Sequence, residues 1–218
     1  MDLYTFFSNS TLFIHVVSLV FLYQRRKNIN NFFLPFGVFT CLAFVGDFML
    51  TFVTAAGYRS AVSANFYVLV EFPVFLWMYY TWSSHKNLLL FGLLFIVGLF
   101  VWVYDNFIFS SITITTSVYR IYYSLVLVFC SINQTNKILF SDHRQLWKNP
   151  IFLVSTVSII YYSFRVFVES MFLFQAEMSN QFMRYVFAIM VIVNFFAHLV
   201  YTLAILCIPA RKEFTLRY

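Results

Sequence analysis

Five charged side chains fall inside stretches of this sequence that are otherwise apolar: Asp47, Glu71, Arg120, Arg165 and Glu169. Two imidazoles, His15 and His198, lie near the middles of two further such stretches. Each charge costs about 2.5–3.5 kcal/mol to insert in a bilayer, so each is a functional-site candidate by default. Three chemistries follow from the residue types. The arginines and carboxylates together can meet a small polar ligand, an ion or a lipid headgroup. Asp47, with Glu71 or Glu169 as partner, can act as a general base in a hydrolase. Asp47, Glu71 and His198 can carry protons in a transporter. Structural pairing competes with all three, through Arg165 with Glu169 at i to i+4, or through Arg120 with Asp47 or Glu71.

Spacing sorts these residues onto faces. Ser155, Ser158, Tyr162, Arg165 and Glu169 recur at steps of three and four, which places them on one side of a helix. Asn194, His198 and Thr202 form a second stripe, Asp47, Thr51 and Thr54 a third, and Thr11, His15 and Ser18 a fourth. Four polar stripes on apolar helices are most simply satisfied by facing one interior. The predicted site is therefore a polar cavity lined by Asp47, Glu71, Arg120, Tyr162, Arg165, Glu169, Asn194 and His198. For the histidines, an interhelical hydrogen bond is the preferred role. Pro73, two residues after Glu71, loosens the backbone bonding of its helix.

The elements that must hold this site are read from composition and hydropathy. The chain has 218 residues, 62% of them hydrophobic, 23% aromatic and only 10% charged. A soluble domain is about a quarter charged, so a soluble enzyme, a disordered regulator and a conventional nucleic-acid binder are excluded. A bilayer-length window finds seven spans: Leu3 to Tyr23, Phe32 to Ala56, Phe66 to Trp82, Leu88 to Tyr104, Ser117 to Ile132, Ile151 to Phe174 and Tyr185 to Ile208. The first begins Met-Asp-Leu-Tyr without a basic n-region, which predicts a retained helix rather than a cleaved signal peptide. The sixth starts just after Asn149-Pro150.

Alternate connections test the count. One side collects ten lysines and arginines: Arg25, Arg26, Lys27, Lys86, Lys137, Arg144, Lys148, Arg211, Lys212 and Arg217. The other side collects three, Arg59, Arg120 and Arg184. The expected fold is an all-α integral membrane bundle of seven transmembrane helices, one domain over residues 1–218, with its N-terminus outside and its C-terminus cytoplasmic. In that orientation all five intramembrane charges lie in the outer half. Tyr23, Tyr79, Tyr80, Trp82, Trp102 and Tyr104 read as an interfacial aromatic belt. Cys41, Cys130 and Cys207 lie in apolar runs without metal or disulfide spacing and read as packing residues.

Several chemistries lack their residues. No lysine lies in the seventh span, so a retinal Schiff base is excluded. There is no HExxH pair, GxSxG elbow, phosphate loop or kinase signature, and no strong metal-ligand spacing. No cofactor and no nucleic-acid partner is expected. The segment Phe44-Val45-Gly46-Asp47-Phe48-Met49-Leu50 resembles the Gly-Asp helix of the lysoplasmalogenase family of small membrane hydrolases, and that resemblance implies water activation by an intramembrane aspartate. Asn65-Phe66-Tyr67 with Glu71, Ile160-Tyr161-Tyr162-Ser163-Phe164 and Asn194-Phe195-Phe196 are similar to segments of an uncharacterised group of small seven-helix membrane proteins of Bacteroidetes. That likeness implies an accessory or sensing role.

The reading that combines these observations is a sensor- or receptor-like signalling protein of the bacterial inner (plasma) membrane. It binds a small polar ligand, ion or lipid headgroup in the outer half and acts through a separate cytoplasmic or membrane partner. A lysoplasmalogenase-like lipid hydrolase and a small proton-coupled transporter are the alternatives. The basic segment from Lys137 to Lys148 offers a partner or anionic lipid a docking surface.

Overall fold

The computed structural model describes residues 3–27, 29–84, 86–141, 146–173 and 179–209. Arg144, Arg211, Lys212 and Arg217 of the charge count, and Phe174 at the expected end of the sixth span, lie outside the described residues. Those described form seven α-helices and no strand: α1 Leu3–Gln24, α2 Leu34–Ala55, α3 Ala61–Trp82, α4 Leu88–Val103, α5 Val118–Ser141, α6 Pro150–Leu173 and α7 Asn180–Leu206. A π-helical segment, Tyr104–Phe109, extends α4, and a short 3-10 turn, Leu146–Lys148, precedes α6.

Short polar residues start the helices. The Asn30 carboxamide oxygen accepts from the Phe32 and Phe33 amides ahead of α2, which then opens on Leu34-Pro35. Asn149 accepts from Ile151 and Phe152 while Pro150 takes the first turn of α6, as the Asn-Pro pair predicts. Asn87 caps α4 and Ser179 caps α7 in the same way. Past the end of α2, Gly57 adopts φ +80°, a turn that residues with a Cβ rarely make.

Each helix packs on the next, and α7 returns to α1, so the seven form a closed ring. Two registers show the direction of alternate helices. Glu71 meets Tyr123, Tyr79 meets Ser131 and Trp82 meets Gln134, each pair 52 residues apart, so α3 and α5 run parallel. His15 packs edge-on against His198, Ser18 touches Thr202 and Arg25 reaches the Ile208 carbonyl, so α1 and α7 run parallel as well. The bundle thus has a first end, where odd-numbered helices start, and a second end, where they finish.

Five helical segments are long and apolar enough to cross a membrane: α2, α3, α4 with its π extension, α6 and α7. The protein is an integral membrane protein. The described apolar part of α1 is shorter, Ser10–Gln24. Helix α5 runs nine residues beyond the expected Ile132, into a polar stretch. The extension is anchored because Gln134 and Lys137 both donate to the Trp82 carbonyl at the end of α3, at 3.1 and 3.4 Å. Glu71 sits two residues before Pro73, and α3 continues through that proline.

Two expectations are corrected. Tyr79, Trp82 and Trp102 are buried instead of forming an interfacial belt. Their polar atoms are used inside the bundle: Trp82 donates to the Phe32 carbonyl, Trp102 to the Asn65 carbonyl, and Tyr79 pairs with Ser131 at 2.6 Å. Tyr23 and Tyr104 are exposed as the belt requires. The stripe on α2 also stops at Asp47, since Thr51 and Thr54 are exposed. Thr54 donates to the Leu50 carbonyl of its own helix, so its hydroxyl needs no interior partner. The three cysteines are free, with Cys41 exposed.

Candidate functional site

Glu71 is the centre of the buried polar groups. Its Oε1 accepts from the hydroxyls of Tyr67 and Tyr162, at 3.2 and 3.5 Å, and its Oε2 from that of Tyr123 at 3.2 Å. These tyrosines come from α3, α6 and α5, so one carboxylate joins three helices. Tyr67 shares a helix face with Glu71, four residues away, and its ring crosses α2 at Gly46. A Cβ at Gly46 would collide with that ring. The Gly-Asp pair therefore has a packing role: the glycine admits Tyr67, and Asp47, next along the helix, lines the cavity.

Arg165 lies opposite, with Nη1 4.0 Å from Glu71 Oε2. Its guanidinium sits over the rings of Tyr123 and Tyr161, at 5.1 and 6.0 Å from their centroids. Among the described residues, its side-chain hydrogen bond goes to the Tyr161 hydroxyl, 3.4 Å from Nη1. A buried guanidinium with five N–H donors is sparingly used by the protein here. Arg120, in the first turn of α5, donates to Glu169 at 3.5 Å and to Asn65 at 3.4 Å, and its buried Nε has no partner among the described residues. Glu169 also accepts from Ser117 at 2.8 Å.

The ion pairs therefore run between helices, Arg120 to Glu169 and Arg165 to Glu71. This corrects the expected pairing of Arg165 with Glu169 along α6, and of Arg120 with Asp47 or Glu71. The i to i+4 spacing put Arg165 and Glu169 on one face, but each finds a closer partner on the helix that face meets.

Asp47 pairs with His15 instead, with His15 Nε2 2.9 Å from Oδ2. The His15 and His198 rings pack edge-on, with centroids 4.2 Å apart. His15 thus makes the interhelical contact expected of it, while the His198 imidazole borders open space.

That space is a cavity of about 200 Å³. Asp47, Glu71, Arg120, Tyr162, Arg165, Asn194 and His198 all line it, so seven of the eight predicted site residues meet in one place. The eighth, Glu169, lines an adjoining space of about 370 Å³ together with Arg120 and Arg165. Phe172, Phe187 and Met190 give this second chamber an apolar wall. The two guanidiniums stand at the boundary of the chambers.

Side chains outside the predicted set hold the first end in place. Asn65 donates to the carbonyls of Ile112 and Ile114 and accepts from Thr116 and Arg120, so it clamps the segment between α4 and α5. Asp105 is buried in the π-helical segment, and its Oδ2 accepts from the Tyr119 amide at 2.7 Å, capping α5 from a neighbouring helix. The spacing of Tyr67 to Glu71 and of Arg120 to Tyr123 points to both tyrosines. Nothing in the periodicity points to Asn65 or Asp105, because their partners are backbone groups of a loop and of a distant helix end. Compared with known proteins, the chain matches no family model, no curated protein and no solved structure.

Proposed function

We propose that this protein is a seven-helix membrane sensor or receptor-like protein that binds a small polar ligand or lipid headgroup through an anionic group. One observation carries the reading: Arg120 and Arg165 both line both chambers, with few of their donors used by the protein. A carboxylate or phosphate between them would gain charge-assisted hydrogen bonds in a low-dielectric setting. Glu71, Asp47 and Asn194 would receive the ligand's hydroxyl or ammonium groups. An anion on Arg165 competes with Glu71, and Glu71 joins α3 to α5 and α6. Occupancy would therefore be felt as a change in how three helices are held.

In this reading α1 and α5 cross the bilayer alongside the five more apolar segments, since each lies parallel to a spanning neighbour in continuous register. The excess of basic residues in one set of connections supports an orientation with the first end outside a bacterial plasma membrane. The response passes to a separate partner. The test is thermal unfolding of the purified protein in nanodiscs with inorganic phosphate, glycerophosphate and phosphoethanolamine. At least one should raise the midpoint in wild type. Arg165→Ala should abolish that shift while still inserting in membranes, and an undiminished shift refutes the site.

The 2.9 Å contact of His15 with Asp47 favours a second reading, a lipid hydrolase with Asp47 as general base. Turnover of a lysophospholipid or lysoplasmalogen that disappears in Asp47→Asn would select it over the sensor.

A further inference from the structure

The floor of the cavity holds a group of donors of which the anion site uses only Asp47. His15, Asp47 and His198 each offer one ligand atom, and these atoms lie within 4.8 Å of one another. They come from α1, α2 and α7, three helices adjacent in the ring, so no sequence spacing announces them. Two imidazoles and one carboxylate are a set suited to zinc and similar divalent transition ions. In a tetrahedral site with bonds of about 2.0–2.1 Å, donors stand about 3.3 Å apart. His15 Nε2 and Asp47 Oδ2, at 2.9 Å, are already near that separation. His198 lines the cavity, and its donor atom lies within 4.8 Å of the other two.

We infer that His15, Asp47 and His198 form a mononuclear site for a divalent transition-metal ion of the zinc class, with a fourth position open to the cavity. The inference stands on these donors and does not require the sensor reading. Three further features favour it over a simple hydrogen bond. Asp47 needs only one imidazole as a partner, yet two are brought to it. Among the described residues, the His198 ring makes no hydrogen bond and packs edge-on against His15 and Tyr201. One turn further along, Ser18 and Thr202 touch at 2.6 Å, and Thr202 donates to the His198 carbonyl, which fixes α1 against α7 beneath the site. Asp47 and His198 border the cavity, so water or a ligand oxygen can take the fourth position.

The experiment uses the full chain in detergent, stripped with a chelator and then titrated with zinc or cobalt. The expected result is one tightly held zinc per chain, a raised unfolding midpoint, and the intense visible absorption of tetrahedral or five-coordinate cobalt. His198→Gln and Asp47→Asn should each weaken zinc by more than about tenfold, the least that even an outer-shell change costs. Cys41→Ser should leave the stoichiometry unchanged, because the exposed thiol is no part of the site. The cobalt spectrum of the wild-type protein decides the matter even where a variant fails to fold. Substoichiometric zinc, the weak spectrum of octahedral cobalt, or affinity unchanged in both ligand variants would overturn the proposal.

Discussion

The two ends of this bundle are packed by different physics. Toward the second end, Phe36, Tyr79, Trp82, Ile205 and Ile208 are buried, and the polar contacts between helices end on hydroxyls or backbone carbonyls. Toward the first end lie Glu71, Asp105, Arg120, Arg165 and Glu169, all buried and charged, around two open chambers. In a bilayer, apolar side chains gain little by leaving lipid, so contact between helices rests on close packing and on polar groups that find partners. The second end uses the first of these means and the first end the second. A region held by charge pairs at 3.5 and 4.0 Å, with donors to spare, can exchange one partner for another. A close-packed aromatic layer cannot do so without opening a void.

That contrast can be broken in graded steps. Glu71→Ala should have the largest effect, about 3–5 kcal/mol of lost stability, because Arg165 is left buried without its carboxylate. Glu71→Gln should cost clearly less, since Tyr67 and Tyr162 can still donate to the amide oxygen and the amide NH2 can donate to the Tyr123 hydroxyl. Equal midpoints for wild type and Glu71→Ala in nanodisc unfolding would mean that the first end is not held by its charges. Phe36→Ala at the other end should cost about 3 kcal/mol through an unfilled cavity. It should leave any phosphate-induced shift intact, whereas loss of that shift would show the two ends to be coupled.

Gly46→Ala comes next, at about 1–3 kcal/mol, because the added methyl meets the Tyr67 ring and displaces its hydroxyl from Glu71. Combining it with Tyr67→Ala should recover most of the packing loss, and a purely additive double variant would separate the glycine from the tyrosine. Thr54→Val should be smallest, within about 0.5 kcal/mol, since the hydroxyl serves its own helix on an exposed face. A larger loss there would restore Thr54 to the interior polar set.

Much of the site was legible because a buried polar side chain on an apolar helix is conspicuous, and helical period shows which such residues share a face. Arg165 and Glu169 illustrate both the strength and the limit. Their spacing correctly put them on the interior face, yet their partners come from α3 and α5. Trp82 shows the opposite failure: a tryptophan near a span end reads as an interfacial anchor until a neighbouring carbonyl proves to be its acceptor.

By itself, then, the sequence determined that this chain enters a membrane, which rare charges its helices carry, and that most of those side chains converge. Hydropathy and the 3.6-residue repeat are local properties, written along each helix. Which carboxylate meets which guanidinium, that Asp47 lies against His15 and beside His198, and that two arginines share the wall of two chambers were decided by the tertiary structure. Those facts depend on helix rotation and depth against neighbours that are distant in sequence, and no spacing within one helix encodes them.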